Sequence, residues 1–319
     1  MKRMLILAVL AGLLCGCSAA SGEPVPSVPD SSRLTVFSCL EETVCTPLVR
    51  EYQERTGVFV TVETGCAGEL LERIAGGEEC DLLLGCETDQ LEADKGLFQE
   101  LDGFDTISDA CPRGQNWVPV SLRAMVIVYN PKLIRQNPPT GLDDLLEDAW
   151  QGKIAFADPG RSAFSGTVLE VLAQGGDADA RIARFAGNVG ELLQDTESVI
   201  QSVADGSCFL AVVPEDAAAR RIRSGLDLTV VYPKSGIPMA AWGAAIPTEA
   251  PHPENAMNFV SFLLGRDAQS YGRNTLLWGS VLDGETDFPK NALFYDPITA
   301  GADRAERMEQ WNAIREDTP

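Results

Sequence analysis

The chain predicts an α/β protein built as two lobes, and three observations carry that expectation. Its 319 residues are too many for one small core. Short apolar or β-branched runs alternate with helical spacings, separated by Gly- and Pro-bearing turns. Hydrophobic content of 45% and charged content of 23% are those of a globular chain rather than a disordered one. The clearest unit is Val58 to Gly77, VFVTVETGCAGELLERIAGG. There a β-branched strand enters a tight Gly65-Cys66-Ala67-Gly68 turn, and Leu70, Leu71 and Ile74 then recur at helical spacing until Gly76-Gly77. Such a turn leaves free N–H groups at the helix start, a place where an anion can sit.

The first residues stand apart from the fold. Lys2 and Arg3 precede an apolar run, Met4 to Leu14, that is too short to span a bilayer. It ends in Leu14-Cys15-Gly16-Cys17, which resembles a lipobox and predicts a signal peptide over 1–16 with Cys17 acylated. Residues 17–32 are rich in Ser and Pro and read as a tether. The chain is therefore expected to be exported and held by lipid at the outer face of the cell membrane.

In order, Arg33 to Ser38 reads as a strand, followed by a helix to Gly57 and then by the central unit. Asp81 to Leu84 is a buried strand and Thr88 to Lys95 a short helix, so three βα units imply a parallel sheet. Trp117 to Asn130 is a long strand-like run. Asp143 to Trp150 reads as a helix, Lys153 to Ala157 as a strand, and Thr167 to Gln174 as a helix after a polar turn. Helices over Ser198 to Ala204 and Glu215 to Ser224 flank a strand at Phe209 to Val213, with Pro214 at the helix start. Strands at Leu228 to Tyr232 and Ala240 to Ile246 and helices at Pro253 to Leu264 and Ala302 to Arg315 complete the chain.

A formal charge of −22 argues against nucleic acid and against an anionic membrane face recognised by charge. Without Cys15 and Cys17, the cysteines are Cys39, Cys45, Cys66, Cys80, Cys86, Cys111 and Cys208. Export favours pairing, and an odd count leaves one thiol over. No CxxC supports a redox centre.

Six segments carry a resemblance: GCAGELLERIAGG, WVPVSLRAMVIVYNPKL, AWQGKIAFADP, PEDAAARRI, VVYPKSGIPM and APHPENAMNFVSFLLGRDAQ. In this order they resemble the extracellular solute-binding proteins of ABC importers, in the ferric-iron, phosphonate and sugar-phosphate branch. The resemblance implies a type II periplasmic-binding-protein fold, two α/β lobes joined by two crossing strands near Ser121 to Val128 and Ala241 to Ile246. It assigns 33–122 and 245–300 to lobe 1 and 123–244 to lobe 2, and leaves the C-terminal helix, 301–319, unassigned.

The resemblance places the ligand between the lobes, at the carboxyl ends of the strands. Lobe 1 would present Ser38, Cys39, Cys66, Ala67, Gly68 and Cys86. Lobe 2 would present Ser162, Ser165, Gly166 and Thr167 at a helix start, with Glu215, Asp216 and Trp242 nearby. Two helix starts with hydroxyls make an oxyanion site that needs no cluster of Arg or Lys, and helix capping is the competing role for those hydroxyls. Ferric members carry adjacent tyrosines where this chain has Pro214-Glu215-Asp216, and no adjacent tyrosine pair exists here. Glu215 and Asp216 suit hydroxyl or amine groups instead. If Cys39 lies between Cys66 and Cys86, neighbouring pairs could form a disulfide, or the trio could hold a soft metal; a structural role is the simpler alternative.

The expected function is a lipid-anchored binding component that captures a small anionic solute, such as a phosphonate or sugar phosphate, and passes it to a membrane permease. The chain is expected to act as a monomer without a cofactor. Ferric iron or another metal chelate, and a sensor signalling to a receptor kinase, are the alternatives. An exported thiol enzyme lacks a nucleophile–base pair, because His252, the single histidine, lies between Pro251 and Pro253.

Overall fold

The computed structural model describes residues 29–316 except Ala163, Gly175, Asp287 and Phe288; the leader, Cys17, the tether through Val28 and residues 317–319 lie outside the described residues. The chain enters through β1 (Arg33–Ser38), α1 (Glu42–Thr56), β2 (Phe59–Thr64), α2 (Ala67–Ala75), β3 (Leu82–Glu87) and α3 (Thr88–Ala93). A long strand, β4 (Val118–Tyr129), follows. Then come β5 (Ile154–Ala157), α4 (Ser165–Ala173), α5 (Ala178–Asn188), β6 (Val189–Leu193), α6 (Thr196–Asp205), β7 (Leu210–Pro214) and α7 (Glu215–Arg223). The chain finishes with β8 (Thr229–Val231), β9 (Ile237–Ala245), α8 (Pro253–Leu263), α9 (Arg266–Tyr271), β10 (Ala292–Leu293) and α10 (Pro297–Glu316).

The strands run in the order β2-β1-β3-β9-β4-β7-β5-β6. β1 pairs in parallel with β2 and β3, and β5 pairs in parallel with β6 and β7, as βαβ units require. The two halves meet at β4 and β9, which pair antiparallel from Val118↔Ala244 to Ala124↔Met239. Beyond Ala124, β4 changes partner and pairs with β7 from Met125↔Pro214 to Tyr129↔Leu210. One strand thus begins in one lobe and ends in the other, and β9 makes the return. The return begins at Ile237, earlier than Ala241, because Met239 already pairs with Ala124 of β4 while Ile237 and Pro238 pair with β10.

Strand alternation distributes the core. Val120, Leu122 and Ala124 point into the cluster beneath α1 and α8, while Met125 and Ile127 point to one face of the second half and Val126 and Val128 to the other. Leu82 and Leu84 face one side of the first half and Leu83 the other. Both faces are covered, so these strands read as unbroken apolar runs.

Several stretches differ from the sequence expectation, α9 and β10 among them. Residues 143–150 form two short 3-10 turns, Asp143–Leu146 and Asp148–Trp150, not one helix. Asp144 accepts from the Thr140 and Gly141 N–H groups, a local bond that favours a turn over a helix. β3 runs on to Glu87 through Gly85, whose φ of 79° and bulge against β9 keep Cys86 inside the strand. α5 and β6 were absent from the expectation: α5 buries only Ile182, Phe185, Ala186 and Asn188, and β6 is an alternating edge strand.

α10 begins at Pro297 and touches both lobes. Gly301 lies so close to α3 that an added Cβ would fall 2.8 Å from the Asp89 carbonyl oxygen. Further along, the buried Trp311 ring packs at 5.6 Å from Phe156 and 6.5 Å from Phe185. Trp311→Ala should therefore destabilise the chain by about 3–5 kcal/mol in denaturant unfolding. A loss below about 1 kcal/mol would show that α10 is not part of the core.

Candidate functional site

A cavity of about 400 Å³ opens where the two lobes meet beside the β4–β9 ladder. Cys39, Leu40 and Glu41 line it from the β1–α1 turn, Val44 from the first turn of α1, and Gly65 and Cys66 from just before α2. The opposite wall is Arg161, Ser162 and Phe164 before α4, then Gln194, Asp195, Thr196 and Glu197 at the start of α6, with Ala217 and Arg220 on α7. Arg123 of β4 and Trp242 of β9 form its base.

The base is an ion cluster. Arg123 is 3% exposed and pairs with Asp216, which is 2% exposed and also takes Arg220. The Arg123 guanidinium lies 3.6 Å from the Trp242 ring centre and 4.8 Å from that of Phe164, so its faces are aromatic and its edge is ionic. Burial, and after it the like charge of Arg220, pull the Arg123 pKa well below the ordinary arginine value. Arg220 reaches across the gap to Glu41 at 3.1 Å. Three buried polar atoms here have no partner among the described residues: Arg123 Nε, Asp216 Oδ1 and Trp242 Nε1. Arg161 is exposed, and its guanidinium makes no ion pair or hydrogen bond among the described residues. Burial, then Glu41, raises the pKa of Glu197, so two carboxylates from opposite lobes influence one another.

Residues 34–273 match the bacterial extracellular solute-binding protein family. The chain belongs to this family. It is 23% identical over 286 residues to iron uptake protein A1 of Synechocystis sp., covering 81% of this chain and 79% of that one. It is 25% identical over 282 residues to a periplasmic protein of Salmonella typhimurium whose name assigns it to 2-aminoethylphosphonate, covering 83% and 80%. Its fold matches the periplasmic binding protein AfuA from Actinobacillus pleuropneumoniae, solved with fructose-6-phosphate, at a TM-score of 0.78 and 18% identity, over 89% of this chain and 98% of that one. The architecture is that of the type II periplasmic binding proteins, and the family binds solutes and does not transform them.

In this solute-binding protein the cavity gathers Cys39, Cys66, Ser162 and Trp242 from the residues expected at the ligand. The others lie elsewhere. Ser38 is fully buried, accepting from the Leu40 N–H at 3.1 Å and touching the Cys45 thiol. Ala67 is buried in the lobe-1 core, and Gly68 faces the Gly160 carbonyl of the other lobe. Glu215 bonds the Tyr232 hydroxyl and lines a separate cavity with Arg273 and Trp278, and Asp216 serves the arginines.

The largest correction concerns Ser165, Gly166 and Thr167. They do not line the cavity, because the start of α4 is already occupied by Glu87 from the end of β3. Thr167 donates to Glu87 Oε1 from its hydroxyl at 2.8 Å and from its N–H at 3.4 Å. A Cβ on Gly166 would fall 2.8 Å from Glu87 Oε2. The helix start is therefore filled by a carboxyl side chain of the protein itself.

The thiols also separate. Cys39 packs against Cys86, but Cys86 is fully buried, and burial followed by the neighbouring Cys39 pushes its thiol pKa well above the ordinary value. Burial likewise raises Cys45 and Cys111 to about 11 and Cys80 to about 12. All seven described cysteines are free, and among the described residues no three His, Cys, Asp or Glu side chains are placed to hold a metal ion.

Sequence reasoning missed Arg123, Arg161, Arg220, Glu41 and Glu197. Two signals were available: Arg123 interrupts the apolar run of β4, and Asp216 and Arg220 stand at i and i+4.

Burial, then Asp89, raises the Glu87 pKa well above its ordinary 4.5, against the opposing pull of Arg304 and Thr167. The folded state keeps a proton that the unfolded chain releases, so stability falls as pH rises above 4.5. Stability measured against Glu87→Gln should shift toward the variant by about 1.4 kcal/mol per pH unit until Glu87 titrates. A difference that does not change with pH would contradict a protonated Glu87.

Proposed function

We propose that this protein captures a small solute carrying a phosphonate or phosphate group together with a hydroxyl or amine, and delivers it to a membrane permease. The observation that carries the reading is Arg161, whose guanidinium on the cavity wall has no partner among the described residues. Across the cavity from the lobe of Arg161, Gly65 and Cys66 lead into α2, whose first N–H groups suit an anion. Glu41 and Glu197 take the part first given to Glu215 and Asp216, as acceptors for hydroxyl or amine hydrogens. The names of the Salmonella relative and of the sugar-phosphate complex agree with this class of solute.

The iron relative suggests a different cargo. None of the five tyrosines lines the cavity: Tyr232 bonds Glu215, Tyr295 bonds Asp89, and Tyr52 lies in the lobe-1 core. Phenolate capture of ferric iron therefore has no donors here.

Native mass spectrometry of freshly purified protein should find a retained phosphorus-containing solute, and retained iron alone would overturn the proposal. For that solute, Arg161→Gln should weaken binding about ten- to a hundred-fold by calorimetry, as the loss of a charged hydrogen bond implies. Unchanged affinity would remove Arg161 from the site.

The leader adds a lipid anchor to the proposal, since Leu14-Cys15-Gly16-Cys17 resembles a lipobox. Among the described residues, no helix is long and apolar enough to cross a membrane. Cys17→Ala should move the protein from the membrane fraction to the soluble fraction. A wild-type protein that is already soluble, with an unmodified N-terminus, contradicts the anchor.

A further inference from the structure

Outside the cavity, a group of buried polar side chains lies where β3, α3, α4 and α10 converge. Glu87 and Asp89, at the end of β3 and the start of α3, are 0% and 1% exposed. From the other lobe, Thr167 donates to Glu87 Oε1, and its hydroxyl lies 3.4 Å from that of Tyr295. Tyr295 donates to Asp89 Oδ1 at 3.2 Å. Arg304 of α10 holds Asp89 Oδ2 at 2.6 Å with one nitrogen and the Pro159 carbonyl, before α4, at 3.2 Å with another.

α10 is fixed to lobe 2 along its later half. Arg307 pairs with Glu170 of α4 at 2.9 Å, Trp311 packs on Phe156 and Phe185, and Arg315 donates to the Ala186 and Val189 carbonyls at 3.0 and 2.8 Å. Toward lobe 1 it offers Gly301, seated against the α3 backbone, and Arg304. A solute-binding protein of this fold opens by rotating its lobes apart. The Thr167–Glu87 bonds join one lobe to the other and must break in that rotation. The Asp89–Arg304–Pro159 bridge must also break on one side.

We propose that Glu87, Thr167, Tyr295, Asp89 and Arg304 are positioning residues for solute capture, a seam whose bonds set the balance between open and closed lobes and thereby the solute affinity. None of them lines the cavity, so the effect passes through closure. Solute affinity is the intrinsic affinity scaled by the fraction of molecules that can close. The inference rests on the two-lobed architecture and not on the identity of the solute.

Small-angle X-ray scattering of the solute-free full chain reads the balance directly. Thr167→Val keeps the shape of the side chain and removes its donor, and it should raise the open-to-closed ratio about ten-fold, the effect of leaving one buried acceptor without its donor. The radius of gyration should increase accordingly. Tyr295→Phe, a milder change, should act in the same direction and decides the matter if Thr167→Val does not fold. Tyr52→Phe removes a hydroxyl that bonds the Asn255 carbonyl at 3.4 Å within lobe 1, and it should leave the radius unchanged at any cost in melting temperature. Seam variants that scatter as wild type, or a Tyr52 variant that opens equally, would overturn the proposal.

Discussion

The antiparallel ladder between β4 and β9 is the constraint on which the rest of the molecule depends. Both strands are buried along almost their whole length, and the two strands that cross between the lobes pair with one another in this ladder. Each half of the sheet grows outward from it, toward β3, β1 and β2 on one side and β7, β5 and β6 on the other. A gap between the halves is therefore unavoidable beside the ladder, and the turns at the strand ends must line it. Arg123 and Trp242 belong to these strands, so the polar base of the cavity is fixed by the same backbone that joins the lobes.

A buried guanidinium is costly unless it is paired. Asp216 meets that cost for Arg123, Arg220 shares the same carboxylate, and Glu41 takes the free end of Arg220 from the opposite lobe. Position along this chain of charges decides which group is available. Arg123 and Arg220 are committed, whereas Arg161 has no ionic partner among the described residues. A protein with a formal charge of −22 thus places three guanidiniums around one small cavity, because the local field near a ligand depends on neighbours within a few ångströms more than on net charge.

The fold was legible because both its periodicities are strong. DLLL, FLAVV and the β4 run are apolar strands covered on both faces, and each is followed by a turn with Gly, Pro or a helix-starting acid. α5 and β6 were not legible, since a narrow buried stripe and an edge strand leave little pattern. The site was half legible. The turns after β1 and β2 and the loop before α4 line the candidate cavity, the backbone positions to which the rule relating strand ends to ligands points. That rule does not place side chains. Nothing near Thr167 in the sequence reveals that Glu87, eighty positions earlier, reaches the same helix start. Nor does the local sequence reveal that Asp216 is answered by Arg123 from a strand that looks wholly structural.

Glu87 also separates two uses of one motif. The unpaired N–H groups of a helix N-terminus take whatever acceptor is at hand, and α4 has an internal carboxyl that ties the lobes together, which leaves the start of α2 and Arg161 to face the cavity. The most direct test is a crystal structure of the protein with its retained solute. The anionic group should lie against Arg161 and the Gly65–Cys66 turn, with the Thr167 hydroxyl still on Glu87. An anion bound to Ser165 and Thr167, with Glu87 displaced, would contradict this account of the cleft.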